Sequence, residues 1–196
     1  MATAARRTRL SPEARRAQII DAAISAYERQ PWDEISFEAL AGQIGVSPPL
    51  LRHYFGAKRD LFLATVRHLG DLLTGVLTRE HDVPPDQLPR ARLDDYLAFV
   101  EEHGWAHPLW LTAAADPYAS ATIDDLRKDL ARIILARPID EAPPILQLRT
   151  WGWMGFVESV ITRHLEDREA VEREAVLDLL VGSMSILRAP RPRGRG

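Results

Sequence analysis

Arg52, His53 and Tyr54 stand side by side between two apolar residues, Leu51 and Phe55. On a helix, residues four apart share a face. Leu51 and Phe55 therefore turn toward a core, and the three residues between them look outward or sideways. The guanidinium presents a donor fork that fits a phosphate bidentately or reaches the edge of a guanine. Lys58 and Arg59 follow, and no Asp or Glu occurs from Ala39 to Arg59. Upstream, Arg6, Arg7, Arg9, Arg15 and Arg16 are opposed only by Glu13. The whole chain carries a net charge of −3, so this is a local basic region on a mildly acidic protein. Phosphate contacts need local positive potential of this kind, whatever the overall balance.

The elements that must position these groups are legible around them. Ser36 is a good N-cap, and Phe37, Leu40, Ala41 and Ile44 then fall on one face at helical spacing. Gly45 sits where that helix must stop and the backbone turns left-handed. Val46 is an apolar plug between two helices. Ser47 caps the next helix, with Pro48 in its first position, where a missing N–H costs nothing. Two short helices joined by a tight glycine turn form a helix-turn-helix, whose second helix lies in the DNA major groove.

Residues Ile19 to Val66 resemble the N-terminal DNA-binding domain of TetR-type transcriptional regulators. The resemblance rests on IIDAAISAYE, SFEALAGQIGVS and LLRHYFGAKRDLFLATV, in that order and at the usual spacing. It implies DNA contacts from Ser36, Ser47, Pro48, Pro49, Leu50, Arg52, His53, Tyr54 and Lys58. Arg52 occupies the position of a tyrosine that usually contacts phosphate, and Ser36 and Ser47 double as helix caps. Pro48 and Leu50 depart from the family pattern and offer only apolar contact, for example to a thymine methyl. Base readout then leans more on DNA shape. Glu38, which would repel phosphate, is left out of the site.

The remainder reads as all-α. Residues 1–11 are expected to be a disordered basic arm, 12–60 the three-helix DNA-binding domain, 61–188 a helical ligand-binding and dimerisation domain, and 189–196 a disordered tail. Helices are expected over 12–30, from Lys58 for about five turns, over 90–103, around Trp105–Trp110, over 119–136, over 144–166 and over 168–188. HDVPPDQLP at 81–89 is the clearest internal linker. With 46% hydrophobic residues the chain can bury a substantial core, and without cysteine it has no disulfide or thiolate site. No apolar run is long enough to span a membrane, and the N-terminus lacks an apolar signal region, which fits a cytoplasmic protein.

The resemblance also implies a ligand pocket in the C-terminal domain. Tyr96, Phe99, His103, Trp105, Leu109, Trp110, Trp151 and Phe156 are its candidate lining, with His107 and Glu158 as further polar groups to orient a ligand. His103 and His107 are four apart, but Gly104 breaks the helix between them, so no metal site is expected. No cofactor is implied. Gly152, Gly155 and Ser159 lie near one face of their helix, and Val176, Leu179, Leu180, Ser183, Met184 and Leu187 form a stripe on the last. Two such helices from each subunit would build a four-helix homodimer interface.

The expected function is a ligand-responsive, dimeric transcriptional repressor that binds a palindromic operator through its third helix and is released by a small apolar effector. The alternative is a helical ligand-binding or architectural protein with reduced sequence-specific DNA binding. An enzyme is not expected, since the chain shows no Ser/His/Asp set, nucleotide-binding loop or metal cluster.

Overall fold

The computed structural model describes residues 11–188, and the chain divides into two compact units, Met1–His68 and Leu69–Gly196. The basic arm and the tail expected at the termini fall outside the described residues, apart from Ser11. Among those residues there are nine α-helices and no strand.

The first unit is built from α1 (Pro12–Tyr27), α2 (Phe37–Ile44), α3 (Pro48–Phe55) and the beginning of α4 (Lys58–Leu77). Each of the first three opens on a serine. The Oγ of Ser11, Ser36 and Ser47 accepts from the N–H of Ala14, Ala39 and Leu50 respectively. Gly45 closes α2 at φ 77°, and Val46 N–H reaches back to Ala41 O at 3.0 Å, the Schellman closure that only a residue tolerant of positive φ allows cheaply. Helix α1 ends at Tyr27, three residues short of the expected Gln30. Proline disfavours helical geometry in the residue before it, and the chain unwinds through 28–30 ahead of Pro31. The core gathers Ile19, Ala23, Leu40, Leu51, Leu61 and Phe62. Trp32 stacks on Phe62, with centroids 4.3 Å apart and planes at 8°.

The second unit takes the end of α4 together with α5 (Leu88–Glu102), α6 (Ala106–Ala115), α7 (Ser120–Leu135), α8 (Pro144–Glu166) and α9 (Arg173–Ser183), the last continuing as a 3-10 turn over Met184–Leu187. Helix α9 starts five residues later than expected. Asp167 Oδ1 accepts from the N–H groups of Glu169 and Ala170, both at 3.2 Å, and this side-chain turn holds the chain out of helix after α8. The stripe expected on the last helix divides. Val176, Leu177 and Leu180 are buried within this unit, whereas Leu179 is 51% exposed. Polar ties join α5, α8 and α9. Arg173 on α9 donates to Glu101 and Asp94 on α5, each at 2.7 Å, and His164 on α8 lies 2.7 Å from Glu101. Burial pushes the Glu101 carboxyl up, but its bonds to His164 and Arg173 outweigh that and hold it below the ordinary carboxylate range.

Candidate nucleic-acid interface and ligand cavity

Helix α3 shows the two-sidedness that its spacing requires. Leu51 and Phe55 are buried, while Pro49, Arg52 and His53 are exposed. Pro48, Leu50 and Tyr54 are half-buried on its flanks. Arg16 on α1 lies over the Phe55 ring, its guanidinium carbon 4.9 Å from the centroid, which brings a residue of the basic N-terminal region beside α3. The exposed face is thus cationic and aromatic, with His53 edge-on to Tyr54 at 5.4 Å.

Four of the expected DNA contacts have hydrogen-bond partners within the protein. Arg52 Nη2 donates to Glu38 Oε1 at 2.6 Å, and its guanidinium carbon stands 5.1 Å from the Phe37 centroid. Glu38, set aside in the sequence as a residue that would repel phosphate, is the neighbour that holds Arg52. The two face each other across the turn between α2 and α3, fourteen residues apart in the chain. Lys58 is more firmly committed. Its Nζ donates to Asp33 O and Ile35 O, each at 2.9 Å, and lies 5.3 Å from the Trp32 centroid. It fastens the loop before α2 to the start of α4. Ser36 and Ser47 direct their hydroxyls to the helix ends they cap.

The second unit contains a cavity of about 510 Å³. Helices α4 to α8 all line it. Leu69, Leu73, Leu93 and Leu130 supply much of the aliphatic wall, and Tyr96, Trp110, Trp151 and Trp153 the aromatic one. Of the lining expected from sequence, the structure brings together Tyr96, Trp110 and Trp151. Phe99, His103, Trp105, Leu109 and Phe156 are not among the cavity residues. Phe99, His103 and Trp105 instead make a ring cluster of their own, Phe99 lying 4.7 Å from His103 and His103 6.1 Å from Trp105. Among the described residues, no group of three or more His, Cys, Asp or Glu is placed to hold a metal ion.

The cavity's polar groups sit close together. Thr162 Oγ1 donates to Glu158 O, so it must accept from His107 Nε2–H, 2.8 Å away. His107 is then the Nε2–H tautomer, with Nδ1 left as an acceptor. Burial lowers its basicity, with the Glu158 charge opposing, so the ring is neutral at pH 7. Burial raises the Tyr96 phenol far above its ordinary value and Glu158 adds to the effect, so Tyr96 keeps its proton and remains a donor. Glu158 Oε2 lies 3.5 Å from Arg127 Nη2 on α7. Arg127, with Asp124 and Lys128, was not foreseen as cavity lining. The signal was present, since Ile123, Arg127, Leu130 and Ile134 repeat at helical spacing along one face.

Residues 19–65 match the family described as bacterial regulatory proteins, tetR family. A stretch of 55 residues is 46% identical to the HTH-type transcriptional regulator BetI of Brucella anthropi. That match spans 28% of this chain and 28% of the relative's length. A tetR-family transcriptional regulator from Streptomyces coelicolor has a similar structure, with a TM-score of 0.72 and 26% identity, covering 90% of this chain and 82% of that one. The multidrug binding protein EbrR, solved in complex with malachite green, gives a TM-score of 0.68 over 86% of this chain and 97% of its own. At 16% identity that likeness is one of fold. No helix among the described residues is long and apolar enough to cross a membrane.

Proposed function

We propose that this chain, a member of the TetR family of transcriptional regulators, is a dimeric cytoplasmic repressor. It binds a palindromic operator through α3 and releases it when a small apolar effector enters the cavity of the second unit. The observation that carries the DNA half of this reading is α3 itself, which exposes Pro49, Arg52 and His53 over a buried Leu51 and Phe55. A helix anchored in this way can enter a major groove without unfolding its own core.

A single helix-turn-helix reads only a half-site, and two outward faces support a dimer. On α8, Ile145, Leu148, Gly152, Gly155 and Ser159 recur at alternating intervals of three and four, and all are exposed. On α9, Ala175, Leu179 and Gly182 do the same. Ile145, Leu148 and Leu179 are large, while Gly152, Gly155, Ser159, Ala175 and Gly182 are small, a seam of the kind that packs helices closely. The effector half rests on the cavity, whose volume lies within the range of small-molecule sites. The malachite green complex of EbrR, a protein of the same fold, accords with such a cavity taking an apolar compound.

The ion pair between Arg52 and Glu38 favours the second reading, a helical ligand-binding or architectural protein with reduced sequence-specific DNA binding, because it engages the most versatile base-reading group on α3. Titration of the protein on a selected duplex separates the two. The first reading expects two chains per duplex, and an effector that weakens operator binding by the same factor as operator weakens effector binding. Binding of one chain per duplex, with no preference between sequences, contradicts it.

A further inference from the structure

Arg127 turns from the surface of α7 into the cavity. Its guanidinium carbon stands 5.6 Å from the centroid of Trp110 on α6, and its Nη2 is 3.5 Å from Glu158 Oε2 on α8. An aromatic face on one side and a carboxylate on the other make a receptor for a cation. Here the chain's own guanidinium fills that receptor.

Arg127 is held loosely. Its 3.5 Å approach to Glu158 is long beside the 2.7 Å between Arg173 Nε and Glu101 Oε2 in the same unit, and a charge-assisted bond is short when it is well made. Asp124 lies one turn earlier on α7 and also lines the cavity, so Arg127 has a second carboxylate within reach of a rotamer change. Glu158 is the carboxylate that meets Arg127 from α8. Its neighbours Tyr96 and His107 are both uncharged at neutral pH, which leaves Arg127 and the exposed Lys128 as the cavity's cations.

We infer that the effector is an apolar organic cation that takes the place of Arg127 between Trp110 and Glu158 and sends Arg127 to Asp124. This rests on the effector reading above and specifies its chemistry. The remaining wall suits such a molecule, since Tyr96, Trp151 and Trp153 add ring faces with negative quadrupoles, and the leucines of α4 cover its apolar body. An organic anion would be repelled by those same faces and by Glu158 and Asp124, with only Arg127 and the exposed Lys128 to attract it.

The test is calorimetric titration of the full chain at neutral pH with three molecules that share a naphthylmethyl group: naphthylmethyl-trimethylammonium, neutral naphthylmethanol and anionic naphthylacetate. The cation should bind tightest, by about tenfold over the alcohol. Arg127→Gln should tighten the cation by about tenfold, because it removes the internal competitor, while the alcohol changes by less than about twofold. Glu158→Gln should erase the cation's advantage. Unchanged circular dichroism and denaturant midpoints in both variants report that the fold is intact. If naphthylacetate binds best, or Arg127→Gln weakens the cation or leaves it unchanged, this inference is overturned and the cavity remains an effector site. If none of the three binds, the effector reading falls with it.

Discussion

Arg52 on α3 and Glu38 on α2 form an ion pair across the helix-turn-helix, 2.6 Å from Nη2 to Oε1, with both side chains more than half exposed. An exposed pair of this kind contributes only about 0–1 kcal/mol, so a phosphate group can compete for the guanidinium. Glu38 thus sets a threshold on the DNA affinity of Arg52. Glu38→Gln should strengthen binding to all duplexes alike, measured by fluorescence anisotropy over a salt series. Arg52→Ala should weaken binding and lower the salt slope by about one unit, with little change in melting temperature. A lowered melting temperature with unchanged DNA affinity would make the pair purely structural.

Lys58 plays the opposite part. Its ammonium already serves two carbonyls, Asp33 O and Ile35 O. Lys58→Met should destabilise the protein by about 1–3 kcal/mol in denaturant unfolding, because those carbonyls lose a charged donor. An unchanged unfolding midpoint with weakened DNA binding would return Lys58 to the role of a simple phosphate contact.

The contrast between these two residues shows what the sequence can carry. The helix-turn-helix was legible because its signals are local: Ser36, Gly45, Ser47 and Pro48 each act within a few residues of themselves. The partners of Arg52 and Lys58 were not legible, since those bonds close over fourteen residues for Arg52 and over twenty-five and twenty-three for Lys58. The cavity shows the same limit. Aromatic type alone pointed equally to Trp110, which lines it, and to Phe99, which meets the ring of His103 edge-on one turn along the chain. Periodicity places a residue on a face of its helix. Which face meets a void depends on all five helices together.

The exposed seam of α8 gives a third expectation. Leu148 is 69% exposed and Ile145 56%, both more open than a monomer's core residues would be. Leu148→Glu should shift the protein to monomer in sedimentation velocity and abolish operator binding, while helicity by circular dichroism stays unchanged. A dimer that survives this change would move the interface away from α8.

The fourth concerns pH. Burial lowers His107 below its ordinary value of 6.5, so below that pH the folded protein binds fewer protons there than the unfolded chain. The stability this group contributes is complete above pH 6.5 and is lost as pH falls through the lowered folded value. His107→Gln keeps a donor for Thr162 and removes the titration. Denaturant midpoints of protein and variant should therefore converge as the pH falls below 6.5. Parallel curves across that range would show that His107 is not the group responsible.

Selection of bound sequences from random duplex DNA, using the full chain and Arg52→Ala side by side, tests operator recognition by α3. The full chain should enrich inverted repeats whose half-site centres lie about one helical turn apart, roughly 34 Å, or a multiple of it. Arg52→Ala should enrich the same sites more weakly or lose one position of the half-site. An unenriched pool, or a half-site with no symmetric partner, would rule out a dimeric operator-binding protein.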